Sequence, residues 1–311
     1  MTANGPPTTP SMRFDAHERE AVREASIACA GRRRGAWRRM LYDVLAVSDG
    51  LRPAAFVDYC VCDPNKLKRL IDTYGNGLSV LALEDGDGDD LLFIVHARRL
   101  AAALERFGDG GDGQRPLLIN LEGRDGPTEN NGGCWSAAAR ACRRVAAALR
   151  GGATRVRVGD MGIGLPTIIG LVCTYPVVYA VAPTRAPDAS SSGPLGACRF
   201  DLRKFTVSMP LSHRSVWFKC IVGPRGSPGS SLACGDDILY SFTAPSGLAR
   251  ATSPEGVHVG EEEEEGGSPP IATRACCPES REMLLHPRGD TWAGPVTVTV
   301  ENISPCLSLV L

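Results

Sequence analysis

The sequence predicts an α/β protein, in which a mixed, mostly parallel sheet with flanking helices is followed by a strand-rich C-terminal half. Three observations support this fold class. Short apolar runs alternate with amphipathic helical patterns over the first 185 residues, which is typical of parallel sheets covered on both faces. A Gly-Asp-Gly-Asp turn at 86–89 joins two apolar runs and indicates a hairpin, so at least one strand is antiparallel. Beyond residue 185 the pattern becomes strand-like.

The helices and strands are predicted from periodicity and from their stop signals. A helical pattern covers 15–47, but Gly31 and Gly35 weaken its middle, so we expect either one helix or two. Proline at a first turn and glycine after a last turn mark the other helix boundaries. The further predicted helices are 64–75, 97–108, 134–152 and one that begins near Pro166. The predicted strands of the first region are 54–60, 78–85, 91–96, 116–123, 154–160 and 176–182.

Composition divides the chain into regions. Residues 1–13 are rich in Pro, Thr and Gly and predict a disordered tail. The α/β region covers 14–185, and the strand-rich region covers 186–311 and is expected to pack on the first region or to extend it. Within the second region, 246–280 contains the run Glu261 to Glu265 and is predicted to be a disordered acidic insertion.

Charge and cysteine content restrict the class of protein. The formal net charge of −1 at pH 7 gives no general attraction to nucleic acid. Twelve cysteines without an export signal predict reduced thiols and a cytoplasmic location, with the nucleus as an alternative. The uncharged stretch 161–184 contains several Gly and Pro residues, which favour a buried helix and strand over a membrane span.

A basic cluster in the first helical pattern is the main nucleic-acid candidate, but the other side of that pattern is apolar. A solvated helix face is the simpler interpretation, so the sequence gives no strong nucleic-acid signal. The sequence therefore favours protein partners over nucleic acid. The cluster consists of Arg32, Arg33, Arg34, Arg38 and Arg39.

Acidic side chains stand at the ends of several predicted strands. If those strands are parallel, their carboxyl ends share one edge, where open sheets bind ligands. Such a cluster could hold Mg²⁺ against a phosphorylated ligand or supply a general acid and base. The alternative is that these acids only mark where strands exit to solvent or where helices are capped. The candidates are Asp58, Glu84, Glu122 and Asp160.

The stretch "RVRVGDMGIGLPTIIG" at 155–170 predicts a strand, a glycine-rich turn and a helix. The backbone N–H groups around Gly159, Gly162 and Gly164 could bind an anion at the helix N-terminus. The spacing matches neither of the common phosphate-binding motifs, no lysine is present, and Asp160 would repel an anion. A tight strand-to-helix turn is therefore the competing interpretation.

Other reactive residues give weaker indications. The Cys60-Val61-Cys62 spacing is not typical of zinc sites, and the acidic neighbours predict a raised thiol pKa, which argues against a reactive cysteine. His96 would face the edge with the carboxylates only if its strand runs in their direction. No complete catalytic motif is present, and the sequence identifies no cofactor.

Three segments resemble a known family. They are "LYDVLAVSDGLRPAAFVDYC" at 41–60, "GLVCTYPVVYAV" at 170–181 and "NISPCLSLVL" at 302–311. They are similar to an uncharacterised animal protein family whose human member is the chromosome 1 open reading frame 74 protein. The resemblance covers the chain from about Leu41 onward, and the N-terminal tail and the Glu-rich insertion depart from it. It implies an intracellular protein and transfers no activity and no catalytic residue.

These observations predict a non-catalytic interaction or scaffold protein, because no complete catalytic motif is present. The alternative is a small-ligand binder or an enzyme that acts on a phosphorylated or nucleotide-like molecule at the acidic carboxyl ends of the strands. Whether the chain is an enzyme stays open at this point.

Overall fold

A computed structural model describes most of the first region and three strands of the second. The described residues are 16–31, 35–48, 50–75, 77–84, 90–109, 115–120, 128–129, 133–181, 202–208, 238–245 and 297–303. The predicted tail 1–13, the predicted insertion 246–280 and Glu122 lie outside these residues.

Six helices are present in this part of the chain, and their bounds lie close to the predicted ones. They are α1 (Ala16–Ala30), α2 (Ala36–Ser48), α3 (Pro64–Tyr74), α4 (Ala97–Asp109), α5 (Gly133–Arg150) and α6 (Leu165–Val172). The long N-terminal pattern forms two helices, because Gly31 and Gly35 adopt positive φ angles of 75° and 101° between them. Asp63 caps α3 by accepting a hydrogen bond from the backbone N–H of Asn65 at 2.8 Å.

Ten strands within the described residues form three sheets. They are β1 (Ala54–Phe56), β2 (Leu78–Glu84), β3 (Leu91–His96), β4 (Leu117–Asn120), β5 (Thr128–Glu129), β6 (Arg155–Arg157), β7 (Val177–Ala180), β8 (Leu202–Ser208), β9 (Ile238–Pro245) and β10 (Thr297–Ile303). The sheet orders are β1-β3-β2-β6, β5-β4-β7 and β10-β8-β9.

The prediction of a mostly parallel sheet is wrong, since the sheets are mixed. Only β2 with β6 and β4 with β7 pair in parallel among the described strands. The predicted β2–β3 hairpin is present, and it places β3 between β1 and β2, antiparallel to both. Because β3 lies between them, β1 and β2 do not form a parallel pair with each other.

Alternate residues of the strands pack on opposite helix layers. Leu92 and Ile94 of β3 belong to one apolar cluster with α1, α2 and α3. Phe93 and Val95 belong to a second cluster with α4, α5 and α6. The strands β4 and β7 divide their side chains between the same two clusters. Because residues of a strand alternate between its faces, this division makes a three-layer α/β/α arrangement, with helices on both faces as the sequence predicts.

His96 lies at the start of α4, away from the predicted acidic edge. It pairs with Leu78, at the amino end of β2, because β3 runs in the opposite direction. Its Nδ1 atom accepts a hydrogen bond from the backbone N–H of Arg99 at 3.5 Å, which caps the first turn of α4. Burial, together with the nearby charges of Arg99 and Arg98, lowers the pKa of His96 to about 4. The residue is therefore a neutral helix cap.

The uncharged stretch 161–184 contains α6 and β7, as predicted. Gly170 of α6 lies against Val178 of β7, where an added Cβ would come within 3.1 Å of a valine methyl group. Within the described segments, we find no helix with the length and apolarity that a membrane crossing requires.

The C-terminal strands form an antiparallel sheet, in which β8 is central. Strand β9 contacts β7 of the first region. The strand-like pattern that the sequence shows beyond residue 185 also includes 214–222 and 306–311, which lie outside the described residues.

Candidate functional site

Three of the four predicted acids follow strand ends at one edge of the four-stranded sheet. Strands β1 and β2 run in the same direction because each is antiparallel to β3, and β6 is parallel to β2. Asp58, Glu84 and Asp160 therefore lie toward the same edge. The strand β3 separates Asp58 from Glu84, and two strands that flank a third are about 10 Å apart.

Glu84 and Asp160 each face an arginine of this chain. Arg155 places Nη1 3.0 Å from Oε1 of Glu84, and the same nitrogen lies 3.0 Å from a carboxylate oxygen of Asp90. Asp160 lies 3.7 Å from Arg144 of α5 and is 69% exposed. These two acids are thus balanced by different arginines at the surface and are not directed at a common point.

Asp58 has a different environment. It follows β1 at the start of the loop 57–63, and burial of its surroundings raises the pKa of its carboxyl. The negative charge of Asp43 acts in the same direction, while Arg39 and Arg52 oppose it. Asp58 therefore borders a cluster of charged residues that Glu84 and Asp160 do not share.

This cluster is built around a buried ion pair. Arg52, just before β1, donates a hydrogen bond to Oδ1 of Asp43 on α2. The side chains of Asp43 and Arg52 are 2% and 8% exposed, and Arg39 lies 3.2 Å from the same oxygen. Tyr59 is next to them, and its burial and the charge of Asp43 raise the pKa of its hydroxyl. This ion pair holds α2 against the start of β1, because each buried charge is stable only while the opposite charge lies beside it.

Sequence analysis missed Asp43, Arg52 and Tyr59. The signal was present in the apolar run "MLYDVLAV", where Asp43 is the one charged residue on a helix that is otherwise apolar at 40–47. A charged residue in that position requires a partner, and Arg52 is the next cation along the chain.

One backbone N–H of the candidate anion turn is engaged within the chain. The N–H of Gly164 donates to the carbonyl of Val181 at 2.7 Å, so it is not available to an anion. Gly162 adopts a φ of 71°, which a turn of this kind requires of glycine. Thr167 strengthens the same link, because its hydroxyl donates to the Tyr179 carbonyl at 2.8 Å and accepts from the Val181 N–H at 2.9 Å. This turn positions α6 against β7.

The cysteines of the loop 57–63 differ from each other. Burial raises the pKa of Cys60 to about 11, as the sequence argument expects. The pKa of Cys62 is lowered, chiefly by a hydrogen bond with the Cys29 thiol and further by Lys66, despite burial and Asp63. The expectation that acidic neighbours make both thiols unreactive is therefore wrong for Cys62.

The exposed side of α3 forms a shallow groove with a volume of about 390 Å³. Its two acids are engaged within the chain, since Asp63 caps the helix and Asp72 pairs with Lys68 at 2.6 Å. We call this surface the α3 groove, and it is lined by Asp63, Asn65, Lys66, Lys68, Arg69 and Asp72. Val61, two residues before the groove, is fully exposed at 104%.

No group of three or more His, Cys, Asp or Glu side chains in the described segments is placed to hold one metal ion. Comparison with known proteins returns no family, no curated protein and no solved structure that matches this chain.

Proposed function

We propose that this chain is a non-catalytic interaction protein that binds an acidic segment of a protein partner along the α3 groove. The observation that carries the proposal is the charge of this groove, where Lys66 and Arg69 have no ion pair with any described residue. Lys68 pairs with Asp72, so Lys66 and Arg69 remain against the single carboxylate of Asp63, and the groove carries a net positive charge. An acidic partner complements such a surface.

An exposed apolar side chain lies near these charged residues. Val61 is the one large hydrophobic residue of the described chain that is exposed, and it lies at the tip of the loop before α3. Interfaces commonly combine an apolar contact with a polar rim, so Val61 and the two cations together suit a protein partner better than a free ion.

The acidic edge of the sheet supports the same proposal. Glu84 and Asp160 are each balanced by an arginine of the chain, which reduces the negative charge available to a metal ion or a general base. Surface acids in such pairs contribute mainly to solubility and local order.

Photo-cross-linking of the full chain in cells tests this proposal. A photo-reactive residue in place of Val61 should give adducts with an acidic partner protein. The charge-reversed variant Lys66→Glu, Arg69→Glu should reduce the yield of these adducts at least several-fold, because it reverses the attraction.

The matched control reverses two exposed cations in the opposite helix layer, Arg98→Glu with Arg140→Glu, and should leave the adducts unchanged. Absence of any adduct at position 61, or adducts that persist equally in both charge-reversed variants, would contradict the proposal.

A second candidate function has one specific observation in its favour. Asp58, at the predicted edge, has a raised carboxyl pKa and lies near Arg39 and Arg52. A carboxyl with a raised pKa at the end of a strand suits a site for a small phosphorylated or nucleotide-like ligand, or for an enzyme acting on one. A thermal-shift panel of metal ions, phosphate and nucleotides decides between the two candidates.

The proposal includes two expectations from the sequence. Membership of the animal family that residues 41–60 resemble stays a prediction, and it adds no activity. A cytoplasmic location, with the nucleus as the alternative, rests on the interpretation of the twelve cysteines as reduced thiols.

A further inference from the structure

Two cysteines from distant parts of the chain meet beside α3. Cys29, on the last turn of α1, is 6% exposed, and Cys62, in the loop after β1, is partly exposed. Their Sγ atoms are 2.9 Å apart, although the residues are 33 positions apart in sequence. Two sulfur atoms already in contact need only small side-chain movements to form a bond.

We propose that Cys29 and Cys62 form a reversible disulfide, which makes this pair a redox modification site that joins α1 to the loop before α3. The disulfide itself uses no side chain of the acidic edge, and it borders the α3 groove through Asp63 and Lys66. Its oxidant is a low-molecular-weight disulfide, such as oxidised glutathione.

The exposure of the two thiols sets the order of the reaction. Cys62 is the thiol that a reagent in solution reaches first, whereas Cys29 is buried behind it. The hydrogen bond with the Cys29 thiol lowers the pKa of Cys62, and Lys66 and the backbone N–H of Leu67 add to this effect, so the Cys62 thiolate is favoured. The same hydrogen bond, together with burial, raises the pKa of Cys29, which therefore keeps its proton until the second step.

The reaction is a thiol–disulfide exchange in two steps. The Cys62 thiolate attacks one sulfur of the small disulfide, forms a mixed disulfide and releases one thiolate. Cys29 then loses its proton and attacks Sγ of Cys62, which releases the second thiolate. Overall, the two protein thiols lose two protons and two electrons, and the small disulfide is reduced to two thiols.

Cys60 provides the matched control, since it lies in the same loop and its pKa is raised to about 11. It also complicates peptide mapping. No lysine or arginine lies between Cys60 and Cys62, so trypsin leaves both cysteines in one peptide. The variant Cys60→Ser makes Cys62 the only cysteine of that peptide.

The test treats the full-length Cys60→Ser chain with oxidised glutathione and maps its peptides by mass spectrometry. We expect a Cys29–Cys62 linked peptide that dithiothreitol removes. We also expect oxidation to raise the melting temperature by about 5–10 °C, because the bond closes a loop of this length in the unfolded chain. Cys29→Ser should instead stop at the first step, with one glutathione attached to Cys62.

The buried thiol of Cys142 on α5 gives a second control, and Cys142→Ser should form the same linked peptide as the parent chain. The proposal is overturned if the Cys60→Ser chain accumulates glutathione on Cys62 without forming the linked peptide. It is equally overturned if the folded chain shows no reaction at Cys62. Both results are read without removing Cys29, so they do not depend on whether Cys29→Ser folds.

Discussion

Replacing Asp43 with alanine should lower the free energy of unfolding by about 3–5 kcal/mol, because it removes the buried carboxylate that binds the buried guanidinium of Arg52. Both side chains are almost fully buried, at 2% and 8% exposure, so water cannot replace the lost carboxylate. Chemical denaturation monitored by circular dichroism measures this loss. The effect should be among the largest of any single polar substitution in the described chain.

Two further variants separate the cost of an unpaired charge from the cost of lost packing. The double variant Asp43→Leu, Arg52→Met should recover most of the loss, since two apolar residues of similar size often replace a buried ion pair without penalty. Asp72→Ala breaks an exposed pair with Lys68 and should cost less than about 0.5 kcal/mol. If Asp43→Ala also cost this little, the ion pair would not be buried as described.

Phe93→Ala should also destabilise the fold by about 3–5 kcal/mol, since it creates a cavity at the centre of the four-stranded sheet. Phe93 is completely buried, and its ring stacks on Phe56 with the ring centroids 4.9 Å apart. Its position in β3 places it between β1 and β2, where it belongs to the cluster shared with α4 and α5. Equilibrium denaturation in urea measures the loss.

Phe93→Leu keeps most of the volume and should cost only about 1–2 kcal/mol. Val61→Ala is the exposed apolar control and should change the stability by no more than about 0.5 kcal/mol. Equal effects of Phe93→Ala and Val61→Ala would mean that β3 is not the central strand between β1 and β2.

Local patterns predicted the helices and strands of the first region well. Pro64 and the amphipathic pattern after it located α3, and Gly31 with Gly35 marked the break between α1 and α2. The order of strands in the sheet was not predictable in the same way. Whether β3 pairs with β1 as well as with β2 depends on contacts between distant residues, such as Ala55 with Ile94, which no local pattern records.

The sequence predicts the candidate site only in part, because contacts between distant residues also decide how the site is arranged. Asp58, Glu84 and Asp160 follow strands that run in one direction, so the expected edge exists. Their partners come from other elements, as Arg144 of α5 does for Asp160, and the sequence gives no indication of such pairs. The sequence does not point to Asp43 or to Cys29, because the fold alone brings their partners near. Asp43 pairs with Arg52, and Cys29 contacts Cys62.

Glu84 and Asp160 are each balanced by an arginine of the chain, and we therefore expect the described acids of the carboxyl edge to form no ligand site. A thermal-shift panel of Mg²⁺, Mn²⁺, inorganic phosphate, ATP and GTP, each at millimolar concentration, tests it most directly. We predict no change in the melting temperature of the full chain with any of them. A stabilisation of about 2.7 kcal/mol, as expected for a ligand at 100 times its Kd, would contradict the claim if Asp58→Asn or Glu84→Gln abolished it.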